Sequence, residues 1–227
     1  MPAPLILLPG LMCDARIFEG QTRAFNCLTF DGFTTQTRFQ DMAAHVLDVS
    51  PPRISLLGHS MGARVALEVW RLAPRRVERI ALLSTGVHPV QPGEADRRYA
   101  LRDIGRTQGM EALVDTWLPP MMAPHNRNGA LMAAQRRMCI EAGLGTFENQ
   151  VEALLNRPEV ESLLSNITCP ALIGGGALDA WSPPAQLEGM AARIPQARLR
   201  IFEGAGHMLP AEAPAALNEE ITAWLAM

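Results

Sequence analysis

A Gly-x-Ser-x-Gly run, Gly58-His59-Ser60-Met61-Gly62, joins two segments of different periodicity, and no other part of the chain constrains the fold as much. Upstream, Ile54-Ser55-Leu56-Leu57 is a short apolar run that reads as a buried strand. Downstream, Ala63 to Ala73 is rich in helix formers and stops before Pro74. Strand, tight turn and helix therefore follow one another without a spacer. A serine on such a turn is held in a strained backbone with its hydroxyl facing out. Glycine is required on both sides, because a Cβ at either place would crowd the strand or the helix.

The same alternation runs along the chain. Leu5–Leu8, Cys27–Phe30, Ile54–Leu57, Val77–Leu83, Pro170–Gly174 and Arg198–Phe202 are strand candidates. Helical patterns begin near Asp14, with Ile17, Phe18 and Thr22, and recur at Phe39–Val49, Ala63–Ala73 and Ala211–Leu225. A run such as Ile80-Ala81-Leu82-Leu83 is apolar on both faces, as in a parallel sheet covered by helices on both sides. The expected class is α/β, with a mostly parallel sheet of about six strands and right-handed crossovers. The rhythm breaks once, between about Val87 and Asn166. There Gln108–Leu118, Gly129–Glu141 and Thr146–Leu155 look amphipathic, punctuated by Pro119, Pro120, Pro124 and Pro158. The expected organisation is a core of residues 1–87 and 167–227, interrupted by a helical insertion, 88–166, over the ends of the sheet.

Composition bounds the function. A chain of 227 residues fits one domain with an insertion. The net charge of −3, with no basic run of five, gives no electrostatic reason to bind nucleic acid or an anionic membrane. Cys13, Cys27, Cys139 and Cys169 are scattered without C-x-x-C spacing, which argues against a metal site or a redox pair. Reduced thiols suit a cytoplasmic location. The stretch Pro2–Pro9 is too short, and lacks the positive flank, for a secretory signal. No stretch reaches the roughly 18 apolar residues of a membrane span. Oligomeric state is not legible.

A serine hydroxyl is a weak nucleophile unless a base takes its proton, and imidazole alone titrates near neutrality unperturbed. A carboxylate must then fix the tautomer of that imidazole. Of the five histidines, His207 stands out, in Gly204-Ala205-Gly206-His207 directly after the sixth strand. His59 lies inside the turn, with its side chain expected away from the serine's face. His45 falls in a helix, and His88 and His125 flank or lie in the insertion. For the carboxylate, Asp179 follows the fifth strand through Gly174-Gly175-Gly176-Ala177-Leu178 and precedes Pro183-Pro184. Asp31, after the second strand, has no glycine run and ranks lower. Helix or turn capping is the other reading of Asp179. An acyl-transfer site also needs N–H donors for an oxyanion. The backbone amide of Met61 follows the serine, and the amide of Leu11 lies in the loop after the first strand, Pro9-Gly10-Leu11-Met12.

With these residues the chain resembles the α/β-hydrolase superfamily, in particular its small serine carboxylesterase-like members. Four segments carry the resemblance: Leu7-Leu8-Pro9-Gly10-Leu11, Leu57–Gly62, Pro170 through Asp179 to Pro183, and Gly204–His207 followed by Glu212 and Pro214. The order serine, aspartate, histidine is the family's. The resemblance implies an α/β-hydrolase fold with a helical cap, and hydrolysis of carboxylic esters or thioesters without metal or organic cofactor. Three departures stand out. The sheet begins at what looks like the family's third strand. Pro9 replaces the histidine common in the oxyanion segment, and Ala63 stands where many members have a further glycine.

The reading is therefore a serine hydrolase acting through an acyl-enzyme on small to medium apolar acyl groups of small-molecule esters. An acyltransferase or perhydrolase of the same fold, and a non-catalytic small-ligand receptor, are the alternatives. Met12, Met121, Met122, Trp181 and Met208 are the expected pocket residues, methionine being adaptable to apolar ligands. Arg97, Arg98 and Arg102 read as a solvated helix face, recognition of an anionic substrate being the alternative.

Overall fold

The computed structural model describes residues 3–227. Met1 and Pro2, at the start of the expected core, lie outside the described residues. Six strands form one sheet: β1 (Leu5–Leu8), β2 (Cys27–Thr29), β3 (Ile54–His59), β4 (Val77–Leu83), β5 (Ala171–Gly176) and β6 (Ala197–Phe202). Their spatial order is β2-β1-β3-β4-β5-β6, and every neighbouring pair is parallel. This is the α/β-hydrolase fold in its six-stranded parallel form. The helices are α1 (Glu19–Ala24), α2 (Phe39–Val49), α3 (Met61–Leu72), α4 (Glu94–Gln108), α5 (Met110–Trp117), α6 (Gly129–Leu155), α7 (Pro184–Ala191), α8 (Leu209–Glu212) and α9 (Pro214–Leu225).

The chain steps outward from β1 to β2, then returns past β1 to β3 and continues the other way. With right-handed crossovers, this reversal puts α1 on one face of the sheet and α2 and α3 on the other. Accordingly α2 packs on α3, and α1 packs on α9. Both faces of the central strands are covered, so β1 and β3 are buried along their whole length. In such sheets ligands bind beyond the carboxyl ends of the strands where the winding reverses, here β1 and β3.

The segment between β4 and β5 carries helices and no strand. Sequence periodicity misses α4, because its stretch is mostly polar, with Leu101 and Ile104 packed on the core. Charge adds to that packing: Glu94 pairs with Arg98 one turn on and with Arg157 beyond α6. Where two shorter helices are expected, α6 runs through both but breaks at Gly143, whose φ of 79° is non-helical. Ala213 interrupts the expected closing helix, and Pro214 opens α9, since proline has no N–H with which to continue one. The glycine run Gly174–Gly176 is not a loop. It is the second half of β5, in register with Arg200–Phe202 of β6.

No described helix is long and apolar enough to cross a membrane. All four cysteines are free.

Candidate active site

Ser60 stands between β3 and α3 with φ 53° and ψ −115°. A non-glycine residue there costs on the order of 1–3 kcal/mol and persists only if its surroundings impose it. They do: its N–H donates to the Leu83 carbonyl (2.8 Å), and its carbonyl accepts from the Thr85 hydroxyl (3.0 Å). The glycines are sterically required. A Cβ on Gly58 would overlap Ala63 Cα, and one on Gly62 would overlap the Leu8 carbonyl oxygen. Strand, helix and the loop after β1 are thus packed backbone to backbone, and Ser60 is forced outward.

His207 follows β6, and its Nε2 lies 2.8 Å from Ser60 Oγ. Its Nδ1 lies 2.9 Å from Asp179 Oδ2. A carboxylate only accepts, so Nδ1 carries the proton and donates to Asp179. Nε2 is then a bare lone pair, and Ser60 Oγ–H donates to it. The second oxygen of Asp179 accepts from the amides of Trp181 (2.8 Å) and Ser182 (2.9 Å). Burial works against the charge on Asp179. The adjoining His207 and these two N–H donors outweigh it and hold the carboxyl below its ordinary range.

The loops that carry these groups are tied down by residues far away in the chain. His207 N–H donates to the Met121 carbonyl (2.8 Å). Glu212 accepts from Gly206 N–H (3.1 Å) with one oxygen, and from Ala123 N–H (2.8 Å) and Asn126 Nδ2 (3.0 Å) with the other. His59 Nε2 lies 2.8 Å from the His207 carbonyl oxygen, so it carries the proton and donates. Burial first, then the neighbouring His207, pushes its pKa down to about 3, which keeps this ring neutral. The loop after β1 contains Met12 in a left-handed conformation, φ 55°. Its amide donates to Gln150 Oε1 (2.8 Å), and Gln150 Nε2 donates to the Phe33 carbonyl (3.1 Å).

A cavity of about 230 Å³ opens at Ser60 and His207. Leu11 and Met61 line it, and among the described residues neither of their amides has a hydrogen-bond partner. Its apolar wall includes Leu101, Trp117, Met121, Phe147 and Leu154, all from the segment between β4 and β5. Its polar wall includes Arg64, Arg97, Arg98, Arg157 and Glu94. Arg157 grips Glu94 with both arms (2.6 and 2.7 Å), and Arg98 bonds the same carboxylate (2.9 Å). Burial opposes the charge on Glu94, but Arg157, the Gln91 N–H and Arg98 together hold its pKa down to about 2.

The structure brings Ser60, Asp179 and His207 together, with Leu11 and Met61 beside them. Of the expected pocket residues, Met121 and Trp181 line the cavity. Met12, Met122 and Met208 do not: their side chains are buried in the hydrophobic core. Asp31 and His125 are exposed, and exposed His45 sets its edge against the Phe30 ring. His88 lines the cavity. Arg97 and Arg98 line it as well, whereas Arg102 lies over Tyr99 and pairs with Asp103. Arg64, Glu94, Gln150 and Arg157 lie outside the motifs that mark the site in the sequence. Arg64 alone left a signal, as a charge in an apolar helix four residues past the serine. His59, expected away from the serine's face, instead sets its ring beside that of His207 and bonds the His207 carbonyl, a contact with no trace in the sequence. Among the described residues, no group of three or more His, Cys, Asp or Glu side chains is placed to hold a metal ion.

The profile of the alpha/beta hydrolase family matches residues 5–220. A Mycobacterium tuberculosis protein named as a candidate non-heme bromoperoxidase, BpoC, is 27% identical over 222 residues, covering 86% of this chain and 80% of its own. The pimeloyl-[acyl-carrier protein] methyl ester esterase of Nitrosomonas europaea is 25% identical over 175 residues, covering 73% and 69%. Among solved structures, a malate-bound thermophilic esterase from Thermogutta terrifontis superposes with a TM-score of 0.89 at 25% identity, covering 99% of this chain and 89% of its own.

Proposed function

Because the chain belongs to the alpha/beta hydrolase family, we propose that it hydrolyses carboxylic esters through an acyl-enzyme formed on Ser60. The observation that carries this reading is the unbroken chain Ser60 Oγ, His207, Asp179 at the mouth of a partly apolar cavity. Ser60 Oγ attacks the ester carbonyl carbon while His207 Nε2 takes its proton. Asp179 steadies the imidazolium so formed. The amides of Leu11 and Met61 donate to the oxyanion, a donor of this kind being worth about 3 kcal/mol. The tetrahedral centre collapses, the carbon–oxygen bond to the alcohol breaks, and His207 returns the proton to the departing oxygen. Water, deprotonated by the same Nε2, then adds to the acyl carbon, and the free acid leaves with Ser60 restored.

Residues 88–166 act as the cap of this site, and residues 1–87 and 167–227 as its core. The cap supplies the apolar wall, which suits small to medium acyl groups. Thioesters of the same acids are chemically equivalent substrates for this machinery.

The test is turnover of p-nitrophenyl acetate and butyrate by wild type and by Ser60→Ala. Loss of activity on the order of a thousandfold or more is expected for removal of such a nucleophile. Near-wild-type activity in the variant sinks the assignment. Labelling by a fluorophosphonate, mapped by mass spectrometry, should mark Ser60 alone.

A further inference from the structure

Four guanidinium groups line the cavity with one carboxylate, Glu94. That carboxylate is already occupied by Arg157 and Arg98. Arg157 is used up further, donating to the carbonyls of Leu154 (2.9 Å) and Pro89 (2.8 Å). Two cations are left over: among the described residues, Arg64 and Arg97 have no acidic partner.

Arg64 is the telling one. It lies four residues after Ser60, so the helical period of α3 sets it one turn from the nucleophile on the same face. It is only 5% exposed. Its Nη2 donates to the His88 carbonyl (2.6 Å), but its buried Nη1 has no acceptor at all. A buried charge with an unmade hydrogen bond is costly unless something pairs with it. Burial, then repulsion by Arg157, pushes its pKa down to about 9, so the guanidinium is short of a counter-charge. Arg97 adds a second free guanidinium at the exposed side of the cavity.

Resting on the proposed ester hydrolysis at Ser60, we infer that the preferred substrate carries a carboxylate as well as its ester, and that Arg64 and Arg97 bind that carboxylate while the cap packs on the carbons between. A guanidinium offers two parallel N–H donors, which match the two oxygens of a carboxylate. The substrate class is the monoester of a dicarboxylic acid. Arg64 and Arg97 are specificity residues and touch no reacting atom.

The experiment compares p-nitrophenyl hydrogen succinate, adipate and suberate with p-nitrophenyl esters of the monocarboxylic acids of equal length. The best anionic ester is expected to exceed its neutral partner in kcat/KM on the order of tenfold or more, mainly through KM. That ratio should fall severalfold in Arg97→Gln, which is exposed, and further in Arg64→Met. Arg64→Lys should restore part of it. Equal kcat/KM for charged and neutral esters, all abolished by Ser60→Ala, overturns the carboxylate subsite and leaves the hydrolase reading intact. If no ester is turned over, calorimetry on the Ser60→Ala protein decides the subsite separately. Binding of the dicarboxylate itself, but not of the diol of equal length, weakened by Arg97→Gln, sustains it; no dicarboxylate binding overturns it.

Discussion

Gln150 is expected to couple the cap to the chemistry, and Gln150→Met tests this. The side chain is fully buried and links Met12, in the loop that carries Leu11, to Phe33 through one acceptor and one donor. Methionine has nearly the same volume, so no large cavity opens and the loss is confined to the two hydrogen bonds. An N–H and a carbonyl are then left buried without partners, at about 1–3 kcal/mol each. For a chain of this size that is a fall in Tm on the order of 10 °C. Met12, no longer anchored, can relax from its left-handed conformation and carry the Leu11 amide away from the oxyanion. The whole donor is worth roughly a hundredfold in kcat. A tenfold to hundredfold fall in kcat for p-nitrophenyl butyrate is therefore expected, with KM changed by less than about threefold, because the lost interaction belongs to the transition state. Steady-state kinetics beside thermal denaturation read both effects. A lowered Tm with kcat untouched would refute the coupling and leave Gln150 a purely structural tie.

Three other outcomes follow from the same geometry. Gly62→Ala should displace the loop after β1, because the new Cβ overlaps the Leu8 carbonyl; esterase activity should be lost well before the fold is, and a variant with wild-type kcat and Tm would contradict the packing. Glu212→Gln puts an NH₂ against N–H donors now satisfied by a carboxylate, so stability should drop by about 1–3 kcal/mol in urea unfolding and kcat should fall as the His207 loop shifts. The pKa of His59 is depressed when folded, so the stability it contributes is complete above the unfolded value near 6.5 and lost as pH falls towards 3. Between pH 6.5 and 5 the loss should approach about 1.4 kcal/mol per pH unit, before the depressed carboxyls of Asp179 and Glu94 contribute. A His59→Asn variant should have a flatter Tm profile over that window; parallel profiles would show that His59 is not the group responsible.

Much of this molecule is legible in its order of residues, because the forces involved are local. Apolar runs of four to seven residues become buried parallel strands, since helices cover both faces. Gly58 and Gly62 announce a turn where backbones touch, and the loops bearing Asp179 and His207 leave neighbouring strands, β5 and β6, at the same edge of the sheet. The Ser60–His207–Asp179 arrangement could thus be expected from position alone. What tertiary structure decided was everything set by partners far apart in the chain. Met12 and Met208 adjoin the catalytic loops in sequence and Met122 falls in the insertion, yet all three side chains pack into the core. Gln150 reaches Met12 across 138 positions, and nothing in its own helix marks it. Arg157 and Arg98 both close on Glu94, and only the folded cavity reveals that Arg64 is left with an unanswered charge. A side chain's period tells which face it occupies; which charge or amide waits opposite depends on how the helices between β4 and β5 settle over the sheet.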